Sequence, residues 1–322
     1  MPSFKLLEAA SNELDIIQSV LIIGAGLTGL TAAIRLRQAN FKVTVLERSP
    51  AMQDIGAGIQ IPPNCSRVLE GLGVLQKIEN EAIAPQTLII RSQKGDQLHS
   101  QIINSDDDHG SAYPHLVIHR ADFIRVLYEE ALELGVHIQL DARVDYVDFE
   151  AGSVKLLTGA TFTADIILGA DGEHSICRKL LQGPKNTSQS SGNLVYRVMV
   201  PASVVALDPD LHCLIKPGGI QAWYGPGSHL ICYQLDRDDS FNVVLTLPAP
   251  AGAPTIGPQP ADINELREYF HDWDPRLQKL LDLTDQTQCW TLHEHKLSDK
   301  WVHPSGRFIL LGDAAHPILP YM

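Results

Sequence analysis

The stretch VLIIGAGLTG, Val20 to Gly29, constrains this chain more than any other. Four apolar residues, Val20 to Ile23, run straight into Gly24, Gly26 and Gly29 in GxGxxG spacing. A helical pattern follows from Leu30 to Ala39, and a second apolar strand, Lys42 to Leu46, ends at Glu47. Strand, glycine turn, helix, strand and acid together predict a βαβ dinucleotide site. Gly24 permits the tight turn, Gly26 lets backbone approach a pyrophosphate, and Gly29 lets helix pack on strand. The helix N-terminus then offers unpaired N–H groups to phosphate. Glu47 follows Gly24 by 23 residues, about where a carboxylate accepts from ribose hydroxyls.

Two further strand-to-glycine turns follow. ADIILGADGEHSIC, Ala164 to Cys177, reads as a buried strand (Asp165 to Gly169) that turns sharply at Ala170, Asp171 and Gly172 into a helix carrying Ser175 and Arg178. FILLGDAAHP, Phe308 to Pro317, reads as another apolar strand ending in Gly312 and Asp313. A carboxylate at the carboxyl end of a strand lies at the crevice where doubly wound sheets bind ligands. Each turn alone is open to a purely structural reading.

Between them, DIGAGIQIPPN (Asp54 to Asn64) is too rich in glycine and proline for a helix. It reads either as a surface connection or as backbone laid against a flat ring, with Asn64 capping a helix over Cys65 to Leu72. Thr87 to Arg91 and Gln97 to Ile102 read as strands. Leu116 to His119 is a strand leading past Arg120 into a helix from Ala121 to Leu134. Val136 to Leu140, Arg143 to Phe149, Val154 to Leu157 and Thr161 to Thr163 are expected to form a small meander. Residues 1–17 suggest an amphipathic leader, Ser105 to His109 an acidic loop, and Ala249 to Pro260 a linker.

Composition narrows the class. At 322 residues there is room for about two domains. A formal charge of −13 argues against a nucleic-acid partner, and no apolar run reaches the length of a membrane span. Five scattered cysteines, with no C-x-x-C pair, point to reduced thiols and a cytoplasmic location. His293-Glu294-His295 has i, i+2 spacing that suits no complete metal site, so no metal is expected.

GAGLTG, HRAD at His119 to Asp122, GADG at Gly169 to Gly172 and GDAAHP at Gly312 to Pro317 occur in the order seen in one family. The chain resembles a class A FAD-dependent aromatic monooxygenase of the para-hydroxybenzoate hydroxylase fold. GAGIQIPPN and the VYR segment at Val195 to Arg197 resemble its salicylate-hydroxylase-like branch. The resemblance implies an α/β fold: a Rossmann-like FAD-binding domain with an inserted antiparallel β-sheet substrate domain. It divides the chain into FAD-binding segments at 18–86, 116–184 and 291–322, and substrate-domain segments at 87–115 and 185–290.

It also implies site residues. Gly24, Gly26 and Gly29 would hold the FAD pyrophosphate, with Glu47 on the adenosine ribose. Ala57 and Gly58 would lie near the flavin, and Arg120 at the ribityl-phosphate region, the alternative for Arg120 being an ion pair with Asp122 or a surface acid. Asp171 would serve FAD and NAD(P)H, Asp313 the ribityl chain, and Pro317 would lie under the flavin. Arg197 and Tyr233 would be catalytic, orienting a substrate phenolate, although Tyr233 also reads as a core tyrosine and Tyr224 is a weaker candidate. The substrate sheet would comprise Gly192 to Val200, Leu211 to Ile215, Gln221 to Tyr224, Leu230 to Leu235 and Asn242 to Leu247.

The implied activity is hydroxylation of a small aromatic substrate with O2 and a transient NAD(P)H, through a flavin hydroperoxide; a homodimer is one possible assembly. The stop at Met322, soon after the third turn, suggests a C-terminally truncated member. That leaves a catalytically impaired binding or assembly module as the alternative. A plain NAD-dependent dehydrogenase leaves Asp171 and Asp313 without roles.

Overall fold

Val20 to Ile23 are 0–4 % exposed, as a strand covered on both faces must be. In the computed structural model this strand, Ser19–Ile23, is the centre of a five-stranded parallel sheet ordered Phe308–Leu310, Ile166–Gly169, Ser19–Ile23, Lys42–Leu46, His137–Gln139. The structure describes residues 17–52, 56–104, 112–183, 189–215, 218–235, 239–250, 253, 257–295 and 300–320. All of the expected leader except Ile17, and the acidic loop Ser105 to His109, lie outside them. Among the described residues no helix is long and apolar enough to cross a membrane.

The chain divides into two compact units, one of Met1–Ala51, Ala131–Pro184 and Ser298–His316, the other of Met52–Glu130, Lys185–Leu297 and Pro317–Met322. This division follows packing, whereas the segments expected from sequence were drawn by function.

In the first unit the parallel strands, counted along the chain, lie in the order 5-4-1-2-3. The chain therefore turns to opposite sides of the first strand, and the crevice at that reversal is where such sheets take ligands. The crossover helix Leu27–Gln38 buries Leu30, Ala33 and Ile34. It starts earlier than its periodicity indicates, because Gly26 caps it and the glycine turn is already part of its first turn. His137–Gln139, expected in the meander, instead docks in parallel on Lys42–Leu46. A long-range edge was available to it, and sequence alternation does not reveal that partner. The meander keeps Val144–Asp148, Ser153–Leu156 and Thr161–Thr163. Its Val144, Val147, Val154 and Leu156 share a core with Leu21, Ile23 and Phe308.

The second unit is built on an eight-stranded sheet ordered Gln259–Ala261, Thr287–Glu294, Gln189–Pro201, Ser240–Pro248, Ser228–Gln234, Gly219–Gly225, Thr87–Ser92, Gln97–Ile102. Only the pairing of Gly219–Gly225 with Thr87–Ser92 is parallel. One face carries Tyr196, Val198, Leu230, Cys232, Phe241, Val243 and Leu245. It packs on the helices Ile263–Tyr269 and Pro275–Asp282 through Leu266, Leu277, Leu280 and Leu281.

Leu211–Ile215 is not a strand. The Asp208 carboxylate accepts from the Asp210 and Leu211 N–H groups and turns the chain into a short 3₁₀ helix, His212–Leu214. Within Asp54 to Asn64, Gly58–Ile61 is a strand paired with Leu116–His119. Asn64 does not cap the next helix. Pro62 holds the cap position and Pro63 the first helical one, where its missing N–H is no loss, so Asn64 lies inside Pro63–Gly71.

Asp274 joins helix to sheet. It caps Pro275–Asp282, accepts from the Trp223 indole N–H at 2.8 Å and pairs with Arg276, yet is 3 % exposed. Asp274→Ala strands both donors and should lower the free energy of unfolding by about 2–4 kcal/mol, with Asp274→Asn losing less; urea unfolding checks this.

Candidate functional site

The first unit gathers the three glycine turns at the carboxyl ends of neighbouring strands. Gly24 has φ +106°, and a Cβ there would lie 2.5 Å from the Ala170 carbonyl oxygen, so the first turn rests directly on the second. A Cβ at Gly29 would collide with the Gly24 carbonyl, which fixes the helix against its own turn. Gly312 has φ +57° and lies where a Cβ would strike Thr28, which brings the third turn onto the first turn of the same helix. A Cβ built at Gly26, by contrast, would meet none of the described residues within 4 Å, and this cap residue offers the helix no side-chain acceptor. The helix therefore presents its leading N–H groups without a side-chain cap beside an open cradle, which fits a dinucleotide pyrophosphate.

Glu47 is held in place by the turn it faces. Its Oε2 accepts from Ala25 N–H at 2.8 Å and its Oε1 from Ser49 N–H at 2.9 Å. Each oxygen keeps a second lone pair for a ligand hydroxyl. Asp171 uses Oδ2 to accept from the Ile176 and Cys177 N–H groups at 2.8 and 3.1 Å, while its Oδ1 is buried with no partner among the described residues. Asp313 is exposed on the short turn Gly312–Ala314.

Arg178 ties the second and third turns together. It is 2 % exposed and donates to the carbonyls of Asp313 (2.8 Å), Ala314 (3.1 Å) and Glu173. Burial pulls its pKa down, opposed by Asp171, Glu173 and Asp313. Nothing in the sequence around Arg178 marks this role, which comes from tertiary packing alone.

The second unit brings together Ala57, Gly58, Arg120, Arg197 and Tyr233. The Arg120 N–H donates to the Ala57 carbonyl at 2.9 Å, and its exposed side chain starts a helix whose Asp122 lies 3.6 Å from Arg125. Gly58 packs against the Tyr233 ring so closely that a Cβ would lie 2.5 Å from Cε2. Arg197 stacks over Trp290, 4.9 Å from the ring centre, and its Nε is buried without a partner. Burial lowers the Arg197 pKa, with Tyr233 and Arg120 adding opposed smaller effects. Burial pushes the Tyr233 phenol well above the ordinary tyrosine value, against the pull of Arg197, so at neutral pH it is a neutral hydrogen-bonding group. Trp290 was missed in the sequence, because only strand pairing places it beside Arg197. Tyr224 stands apart, exposed and stacked on His229. His316 lies against Trp301. Among the described residues no cluster of His, Cys, Asp and Glu is arranged to hold a metal ion.

A family model described as "FAD binding domain" matches residues 18–322. The FAD-dependent monooxygenase OpS4 of Beauveria bassiana is 33% identical over 309 residues, covering 94% of this chain and 72% of its own length. The 3-hydroxybenzoate 6-hydroxylase 1 of Aquipseudomonas alcaligenes is 32% identical, covering 94% and 76%. Among solved structures, CtdE in complex with FAD and substrate 4 superposes with a TM-score of 0.82 at 22% identity, over 94% of this chain and 76% of CtdE. A salicylate hydroxylase substrate complex gives 0.77 at 23% identity, over 95% and 75%; both show the shared fold.

The chain belongs to this FAD-binding family, among FAD-dependent monooxygenases. Its cofactor is FAD, and the family places it with enzymes rather than with binding or assembly modules.

Arg178→Met should leave three carbonyls unpaired, lower unfolding free energy by about 2–4 kcal/mol and weaken FAD retention about tenfold or more, read by urea unfolding and by flavin absorbance after gel filtration. Because the folded-state pKa of Tyr233 is raised, its contribution to stability is present below the ordinary tyrosine value of 10.0 and is lost as pH rises beyond it. Tyr233→Phe should therefore flatten the fall in melting temperature above about pH 10 without changing the curve near neutrality.

Proposed function

We propose that the chain hydroxylates a phenolic or salicylate-like aromatic acid, using NAD(P)H and O2. The observation that carries this reading is Arg197: a half-buried guanidinium over an aromatic face, whose buried Nε has no partner among the described residues, beside the neutral phenol of Tyr233. A desolvated cation of this kind favours an anionic partner, and the Trp290 and Tyr233 rings suit an aromatic one. Relatives named 3-hydroxybenzoate 6-hydroxylase and 3-amino-4-hydroxybenzoate 2-monooxygenase are consistent with that substrate class.

When bound, FAD supplies acceptance of hydride from NAD(P)H and activation of O2 for transfer of one oxygen atom to the ring. The chain's own work is to bind, orient and exclude water. Gly24, Gly26 and Gly29 take the pyrophosphate, Glu47 the adenosine ribose and Asp313 the ribityl hydroxyls. Asp171 offers its unpartnered Oδ1 to the cofactors. Ala57, Gly58 and Arg120 are our proposed flavin-side contacts. Arg197 pairs with the substrate anion, and the Tyr233 O–H donates to the substrate's phenolate oxygen, holding it ionised and oriented for oxygen transfer. The functional division at residues 18–86, 87–115, 116–184, 185–290 and 291–322 is part of this proposal. So is a cytoplasmic location, supported by five cysteines of which none forms a disulfide.

FAD-loaded protein should oxidise NADH or NADPH faster when a hydroxybenzoate is added, with a hydroxylated product. Arg197→Gln should raise the KM for the acid by roughly 30- to 100-fold while FAD remains bound. A protein that holds FAD but shows no stimulation by any phenolic acid contradicts the reading.

A further inference from the structure

Asn242 lies on the Ser240–Pro248 strand, 0 % exposed, and among the described residues neither its amide nitrogen nor its amide oxygen has a hydrogen-bond partner. Leaving both halves of a buried amide unpaired is costly, and an apolar side chain of similar volume would avoid the cost. The residue is therefore poorly explained as part of a finished core.

Strand register shows which groups it accompanies. Asn242 stands opposite Tyr233 on one neighbouring strand and opposite Met199 on the other. Arg197 precedes Met199 by two residues, so it projects from the same face. Phe241 and Val243, on either side of Asn242, project to the opposite face and belong to the core beneath the helices. One face of the sheet thus carries Arg197, Tyr233 and Asn242 as near neighbours, the diagonal from Arg197 to Asn242 being roughly 7–8 Å between backbones. That is about the span of a benzene ring with a polar group on each side. Met199, opposite Asn242 on the neighbouring strand, is half-buried. As an unbranched thioether it can swing aside to let a ring substituent reach the amide.

We propose that Asn242 is a specificity residue of the aromatic site. Its amide, which both donates and accepts, hydrogen-bonds a ring hydroxyl or amino group, groups that likewise donate and accept. Arg197 meanwhile holds the acidic group of the same ring. The site accordingly takes hydroxy- or aminobenzoates in preference to unsubstituted benzoate. This rests on the aromatic-acid reading above.

The test measures dissociation constants of 3-hydroxybenzoate, 3-aminobenzoate and benzoate, by perturbation of flavin absorbance, for FAD-loaded wild type and Asn242→Leu. Wild type should prefer a substituted acid to benzoate by roughly tenfold. Asn242→Leu should bring that ratio to within about twofold of unity and leave benzoate affinity within about twofold of wild type. Asn242→Thr, smaller and well suited to a strand, should collapse the ratio in the same way and serves if the leucine variant loses FAD. A ratio unchanged in the variants overturns the proposal, as does a wild type without any preference; both leave the aromatic-acid reading standing. A wild type that holds FAD yet binds none of the three acids overturns both.

Discussion

The close approach of backbone to backbone at glycine governs the first unit. At Gly24, Gly29 and Gly312 a neighbouring group occupies the space a Cβ would fill: the Ala170 carbonyl, the Gly24 carbonyl and Thr28. A side chain at any of these points would separate a turn from its neighbour. Without them, the ends of the first, fourth and fifth parallel strands close around the start of one helix, and Arg178 fastens the second turn to the third through main-chain carbonyls. A cradle assembled this way is fixed before its ligand arrives, so little ordering cost falls on binding.

In the second unit burial does the corresponding work on charge. It lowers the pKa of Arg197 and raises that of Tyr233, so the same surroundings leave a cation whose Nε has no partner among the described residues and a phenol that keeps its proton. Burying part of a cation without a partner costs more than burying a neutral donor. The ligand that relieves this imbalance is an anion with an aromatic body. The sheet supplies the framework: Arg197, Tyr233 and Trp290 come from three different strands, and their pairing aligns them on one face.

How much of this was readable in the chain depends on sequence distance. Gly24 to Glu47 could be read because turn, helix, strand and acid are contiguous and each position answers to a local backbone demand. The GADG and GDAAHP turns could be read for the same reason. His137–Gln139 could not, because its short alternation fits a meander as well as a parallel edge, and the deciding partner lies far back in the chain. Leu211–Ile215 looked like a strand by its apolar residues until the side chain of Asp208 captured the backbone. Arg178 and Trp290 went unassigned because their meaning comes from what tertiary packing puts beside them: three carbonyls in one case, a guanidinium in the other.

The central claim is that three turns of the first unit serve one extended cofactor. Equilibrium titration of the apoprotein with FAD, FMN, ADP and NAD+ tests it most directly, since these ligands share parts of one another. The account predicts that FAD binds far more tightly than FMN or ADP, each of which meets only some of the turns, and more tightly than NAD+. A folded protein that prefers NAD+, or that binds ADP as well as FAD, would contradict it.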